Sequence, residues 1–206
     1  QLINKLNVNL KNIKLDAYNL YEYSNINNEC GADYVYTTKK LPMNAPDSNK
    51  YIMNALFDGD ADRLILYKNE FNFENKLDIL DGDKIGCIIL SFIKREMEKI
   101  NINYSICFIQ TAYANKSSTN YLNSINIPTI YVPTGVKYLH FEAKKYDIGA
   151  YFESNGHGTI LFNEEFLKKI KIIDKNSKII KISKIINRFI GDAVATLLCL
   201  CYIFLE

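Results

Sequence analysis

The chain has no excess of charge of either sign. Lysine and arginine number 25 against 23 aspartates and glutamates, a net charge of +2. That balance gives no electrostatic argument for nucleic acid or an acidic partner. The five cysteines, Cys30, Cys87, Cys107, Cys199 and Cys201, contain no C-x-x-C pair and no zinc-finger spacing. Their odd number also argues against a disulfide framework, so reduced and mostly buried thiols in an intracellular, cytoplasmic protein are expected. Long apolar runs are scarce. Polar Asn and Lys interrupt every apolar run at the start, which excludes a signal-peptide pattern there. Phe189–Leu205 is the one membrane candidate, but it is short for a span and carries Asp192 near its start. A buried helix is expected instead. With 206 residues, 48% of them hydrophobic, the chain can bury one large core or two small ones.

What is present in abundance is acid at one point. Asp58-Gly59-Asp60-Ala61-Asp62-Arg63 places three carboxylates at alternate positions, with an arginine directly after them. Such density is costly unless something neutralises it, and a hard divalent cation does so. Apolar Met53, Ala55, Leu56 and Phe57 precede it and Leu64-Ile65-Leu66-Tyr67 follows, so the pattern predicts strand, tight loop, strand. A solvated acidic turn is the plainest reading. An EF-hand fails, because its required Gly and Glu positions hold Arg63 and Asn69. A magnesium site for phosphoryl transfer fits the oxygen donors, and the adjacent Arg63 suits a phosphate.

Around this loop the pattern predicts alternating strands and helices. Residues 1–10 read as a helix end, Asn12–Tyr18 as a strand, Cys30–Tyr36 as a compact segment crossing the sheet, and Lys39–Lys50 as an exposed loop with Pro42 and Pro46. Asn69–Lys76 reads as a polar connection. A second unit starts near Leu77. Its first helix covers Lys84–Ile100 behind an Asp81-Gly82-Asp83 cap. Strands follow at Tyr104–Ile109, Ile127–Val132, Asp147–Phe152 and Thr159–Phe162, with Ser118 or Thr119 capping a short helix and Thr134-Gly135 opening another. A long helix is expected over Ser177–Leu205. The implied class is α/β, with mixed, mostly parallel sheets flanked by helices.

In such sheets ligands sit beyond the carboxyl ends of strands, where two further candidates lie. Glu153-Ser154-Asn155-Gly156-His157-Gly158 offers a carboxylate, an amide and an imidazole between glycines. Glu153 and Asn155 suit vicinal sugar hydroxyls, and His157 could exchange a proton near neutral pH. The same residues also read as a turn that satisfies its own backbone. Thr134, Gly135 and Lys137 open a helix whose free N–H groups could receive an anion, or simply begin a helix.

Together the segments resemble a known family. Phe57-Asp58-Gly59-Asp60-Ala61-Asp62-Arg63 is similar to the magnesium-loop signature of the α-D-phosphohexomutases. Cys30-Gly31-Ala32-Asp33-Tyr34-Val35, Asp81-Gly82-Asp83-Lys84-Ile85, Gln110-Thr111-Ala112-Tyr113-Ala114-Asn115 with Ser117-Ser118-Thr119, Thr134-Gly135-Val136-Lys137-Tyr138-Leu139-His140, Phe152-Glu153-Ser154-Asn155-Gly156-His157-Gly158-Thr159 and Gly191-Asp192-Ala193 look like the phosphoacetylglucosamine mutases. The resemblance implies interconversion of N-acetylglucosamine 6-phosphate and 1-phosphate through a phosphoserine and a bisphosphate, on the way to UDP-N-acetylglucosamine. It implies Mg2+ held by Asp58, Asp60, Asp62 and the phosphoserine. It places Arg63 beside the transferring phosphoryl group, Glu153 and Asn155 on sugar hydroxyls, His157 in proton transfer, and Thr134, Gly135 and Lys137 near the sugar phosphate.

Two departures are Tyr138, where the family usually has His, and Ser154, where it has Ala. The resemblance also implies one partial and one near-complete hexomutase domain. Residues 1–77 would end a metal-binding domain and 78–206 would form a sugar-binding domain. Neither the family's serine loop nor its phosphate clamp is found in this sequence, and no helix stop signal precedes Glu206. The expectation is therefore a central piece that is inactive alone and binds magnesium weakly, the rest coming from missing domains 1 and 4 of the same polypeptide. A non-catalytic sugar-phosphate or metal-binding module, and a hexomutase for glucose or mannose phosphates, are the alternatives.

Overall fold

The computed structural model describes residues 27–43, 45, 53–71 and 77–206. The expected helix end at residues 1–10 and strand at Asn12–Tyr18 lie outside them, as do half of the Lys39–Lys50 loop and residues 72–76.

The described residues form two β-sheets. β1 (Asn54–Phe57), β2 (Leu64–Phe71) and β3 (Leu77–Leu80) form an antiparallel sheet in that order. β1 and β2 make a hairpin with Phe57 opposite Leu64, so the acidic loop is its tip, as the flanking apolar runs predict. β3 carries the sheet past residue 77, so the expected 77/78 division falls inside a strand. Cys30–Tyr36 is a compact segment lying against the sheet, and most of it is helix α1 (Gly31–Thr38), which Gly31 enters at φ +85°, a conformation that favours glycine. Ala32 and Val35 of α1 pack on Ile65 and Tyr67 of β2 and on Leu77 and Ile79 of β3. Alternate residues of β2, Leu64 and Leu66, turn to the other side and join the main core. β2 is thus buried on both faces, which is why its sequence reads as a continuous apolar run.

The second sheet has the order β5-β4-β6-β7. It comprises β4 (Ile106–Gln110), β5 (Thr129–Tyr131), β6 (Ile148–Phe152) and β7 (Gly158–Phe162). β4 pairs in parallel with β5 and β6, and β7 is antiparallel to β6. Ile106 and Phe108 face the main core, whereas Cys107 and Ile109 face α4 (Val136–Ala143) on the other side. The main core is closed by α2 (Gly82–Met97), α3 (Lys116–Ser124), α5 (Glu164–Ile173), α6 (Lys178–Ile185) and α7 (Ala193–Phe204). Helices cover both faces of a mostly parallel sheet, the α/β class expected.

Two expectations fail here. Asn115, not Ser118 or Thr119, caps α3, its side chain accepting from the Ser117 N–H at 2.9 Å. The long Ser177–Leu205 helix is two helices, α6 and α7, because tertiary contacts hold the chain between them open. The Asn187 carbonyl accepts the Thr159 hydroxyl at 2.6 Å, and Asp192 caps α7 through the Ala195 N–H at 2.9 Å. Among the described residues no helix is long and apolar enough to cross a membrane.

Candidate functional site

The tip of the β1–β2 hairpin is folded around Asp58. Its Oδ1 accepts from the backbone N–H groups of Asp62 at 3.0 Å and Arg63 at 3.1 Å, and its carbonyl accepts from Ala61 N–H at 3.1 Å. This closed turn holds Ala61 at φ +57°, a left-handed conformation that costs a residue other than glycine about 1 kcal/mol or more. The result is convergence. One oxygen from each of Asp58, Asp60 and Asp62 lies within 4.8 Å of the others. Asp62 Oδ1 is buried and accepts no hydrogen bond, an orphan acceptor facing this cluster. Three hard oxygen donors and an unsatisfied lone pair fit Mg2+ with water or phosphate completing its shell.

Arg63 lies along the same cluster. Its Nε is 3.5 Å from Asp58 Oδ2 and 3.7 Å from Asp62 Oδ1, and its Nη1 donates to Asp33 of α1 at 2.5 and 2.6 Å. Burial works against the guanidinium charge, but the Asp33 bond and the charges of Asp33, Asp58 and Asp62 outweigh it and raise its pKa above the ordinary value. Nε is buried and makes no hydrogen bond among the described residues.

The second candidate loop meets the first directly. Arg63 and His157 form an isolated antiparallel bridge, and Leu64 N–H donates to the Gly156 carbonyl at 3.2 Å. Gly156 sits at φ +96°, and a Cβ there would fall 2.3 Å from the Leu64 carbonyl oxygen, so only glycine fits. His157 is 9% exposed, with Nδ1 3.1 Å from Asp62 Oδ2 and Nε2 buried without a partner. Gly191 closes over the ring, and a Cβ on it would lie 2.4 Å from His157 Cε1. Two residues on, Ala193 N–H donates to the Ala61 carbonyl at 3.0 Å. The break between α6 and α7 thus closes over both loops. Asn155 Oδ1 accepts from His157 N–H at 3.0 Å, so part of the turn does satisfy its own backbone. The Glu153 carboxylate makes no hydrogen bond or ion pair among the described residues and is open to a ligand.

Thr134, Gly135 and Lys137 lie apart from this cluster. They follow β5, on the edge of the sheet that also carries the ends of β4 and β6. Gly135 begins α4 at φ +130°, and no side chain caps the helix. Thr134 and Lys137 are exposed, and Lys137 Nζ lies 4.9 Å from the centre of the Tyr138 ring. No hydrogen bond or ion pair joins them to the acidic loop.

Sequence reasoning gave no role to Asp33 or Gly191, and it read Asp83 only as part of a helix cap. Asp33 and Asp83 stood inside segments already noticed. Their partners, Arg63 and Ser154, lie far away in sequence, so spacing carried no signal.

Comparison with known proteins decides the family. The family model for phosphoacetylglucosamine mutase AMG1, domain III, matches residues 81–206. The chain belongs to the phosphoacetylglucosamine mutase family. The phosphoacetylglucosamine mutase of Candida albicans is 47% identical over 186 residues, covering 84% of this chain and 34% of that protein. A crystal structure of N-acetylglucosamine-phosphate mutase, of the α-D-phosphohexomutase superfamily and in the substrate complex, superposes with TM-score 0.77 at 46% identity, covering 86% of this chain and 35% of that one. The Aspergillus fumigatus N-acetylphosphoglucosamine mutase in complex with GlcNAc-6P and magnesium gives TM-score 0.77 at 39% identity, covering 85% and 34%. The chain therefore spans about a third of the length of the phosphoacetylglucosamine mutases it matches.

Proposed function

We propose that this chain supplies the metal-binding and sugar-binding parts of a phosphoacetylglucosamine mutase in the cytoplasm. The reaction is the interconversion of N-acetylglucosamine 6-phosphate and 1-phosphate through a phosphoserine and a bisphosphate. The observation that carries this reading is the packing of the Asp58–Arg63 loop against the Glu153–His157 turn, which brings carboxylate oxygens, a guanidinium and sugar-binding groups to one place. Residues 1–77 belong on this reading to the metal-binding domain and 78–206 to the sugar-binding domain, with β3 at the seam. The serine and a phosphate clamp come from other domains of the same polypeptide.

Asp58, Asp60 and Asp62 would hold Mg2+, which when bound draws charge away from the phosphoryl oxygens. Asp58 serves twice, fixing the loop through Oδ1 while Oδ2 stays available. Arg63 offers its guanidinium to the transferring phosphoryl group and offsets the charge there. Glu153 and the Asn155 amide bind sugar hydroxyls. Thr134, Gly135 and Lys137 lie near the sugar phosphate and offer it backbone N–H groups and one exposed cation. His157, with Nδ1 on Asp62 and Nε2 covered, steadies Asp62, and its proton-transfer role ranks second to that.

The test is turnover by the full-length gene product. Phosphorus NMR should show N-acetylglucosamine 6-phosphate converting to the 1-phosphate with Mg2+ and halting with a chelator. Binding without turnover would leave a non-catalytic module. Faster turnover of glucose or mannose phosphates would move the chain to another hexomutase specificity.

A further inference from the structure

Behind the Glu153–His157 turn lies a buried carboxylate with no cation against it. Asp83, in the first turn of α2, is 1% exposed. Its Oδ1 accepts from Gln110 Nε2 at 3.3 Å and lies 3.3 Å from Ser118 Oγ, whose single proton goes to the Asn115 carbonyl at 2.6 Å. Its Oδ2 accepts from the Asn115 N–H at 3.1 Å and from Ser154 Oγ at 2.6 Å. Among the described residues it forms no salt bridge. Burying an unpaired carboxylate is costly, and three donors plus the positive end of α2 are what offset it here.

Those donors come from three places. Gln110 ends β4, Asn115 caps α3, and Ser154 belongs to the turn. The bond to Ser154 is the shortest, and it is the one that reaches the site. Gly82, the neighbour of Asp83, presses on the same turn. Its N–H donates to the Ser154 carbonyl at 3.3 Å, and a Cβ on it would fall 1.8 Å from the Glu153 carbonyl oxygen. The first turn of α2 is therefore a backstop. The main chain of Glu153 and Ser154 rests on it, and the Ser154 hydroxyl fastens them to a carboxylate fixed independently by β4 and α3.

We propose that Asp83 and Ser154 are a positioning pair that sets the angle at which Glu153 and Asn155 meet the sugar ring, Asp83 acting through Ser154. The proposal rests on the sugar-binding reading of that turn. It predicts that removing one hydroxyl, distant from any transferred atom, weakens the hold on sugar without slowing chemistry.

The experiment uses the full-length gene product with Ser154→Ala, Ser154→Thr and Asp83→Asn. Ser154→Ala should raise KM for N-acetylglucosamine 6-phosphate about fivefold, the equivalent of one ordinary hydrogen bond, with kcat changed by less than about twofold. Ser154→Thr keeps the hydroxyl and should restore KM. Asp83→Asn has an amide where two donors converge, so its KM should rise further. Hydrogen exchange is the second readout. The Gly156 and His157 amides, bonded within the turn, should exchange about tenfold faster in Ser154→Ala while those of the α2 interior keep the wild-type rate. If Ser154→Ala leaves both KM and those amides unchanged, or lowers only the melting temperature, the positioning role is overturned. If the amides loosen but the wild-type protein never turns over amino-sugar phosphates, the clamp stands and the sugar reading of the turn is what fails.

Discussion

The acidic loop and the Thr134–Lys137 segment were both read from sequence as places for a ligand, and they are built in opposite ways. The acidic loop is finished by its surroundings. Asp33 from α1, His157 from the turn and Ala193 from α7 all bind it, and Asp58 folds it from within. The Thr134–Lys137 segment is bound by almost nothing, with an uncapped helix start and an exposed lysine. On the roles proposed for them, the difference follows from what each would hold. Convergent carboxylates repel one another, so a cation site must be forced together by neighbours before the cation arrives. An anion site of backbone N–H groups and one lysine carries no such penalty and can stay open. If so, damage to the first should fall on chemistry and folding together, and damage to the second on binding alone.

The largest contrast should come from the two cations. Arg63→Ala in the full-length gene product should lower kcat about a thousandfold, as loss of an arginine that offsets phosphoryl charge does. Lys137→Met should leave kcat nearly intact and raise KM about tenfold, since an exposed lysine contributes uniform binding. Steady-state kinetics on both variants decides this. A kcat loss for Lys137→Met comparable to that of Arg63→Ala would merge the two regions into one site.

Glycine substitutions test the same contrast through stability. Gly156→Ala must place a Cβ 2.3 Å from the Leu64 carbonyl oxygen at φ +96° and should cost about 3 kcal/mol or more. Gly135→Ala meets only the Tyr138 ring at 3.4 Å, so backbone strain alone remains, about 1 kcal/mol. Denaturant unfolding measures both. Equal losses would mean that the packing of the two loops contributes little to the fold.

These contrasts also explain what the sequence could and could not disclose. The acidic loop was legible because both of its signals are local: alternating aspartates, and apolar runs that must be strands. The mostly parallel sheet was legible from the alternation of runs and amphipathic stretches. The gap between α6 and α7 was not. Asn187-Arg188-Phe189-Ile190 has no helix-breaking composition, and although Gly191-Asp192 offers a stop and a cap, the stretch before them is opened by the Thr159 hydroxyl and by the need for Gly191 to pass over His157. The Asp33–Arg63 pair was hidden because it spans 30 positions and two elements. Asp83 was misread in kind. Its local pattern suggests a cap, yet Asp81 does the capping at 3.0 Å from Lys84 N, which frees Asp83 for partners that only the fold supplies. Local chemistry was readable, whereas residues that hold one loop against another were not.

The smallest effect asks how much of the order in the acidic loop is intrinsic. The Asp33 side chain is 53% exposed, so its ion pair with Arg63 is screened and should add no more than about 1 kcal/mol to stability. Asp33→Asn should therefore unfold at nearly the wild-type denaturant concentration. Arg63 would still be held by Asp58 and Asp62 along Nε, and the turn would still be closed by the two backbone bonds to Asp58 Oδ1. The expected loss in kcat is accordingly slight, about threefold, the amount that one screened pair can transmit. A loss approaching that of Arg63→Ala would show that α1 sets the guanidinium in place. The loop would then owe its geometry to long-range contacts in the same way as the Glu153–His157 turn, and the contrast with the Thr134–Lys137 segment would become sharper still.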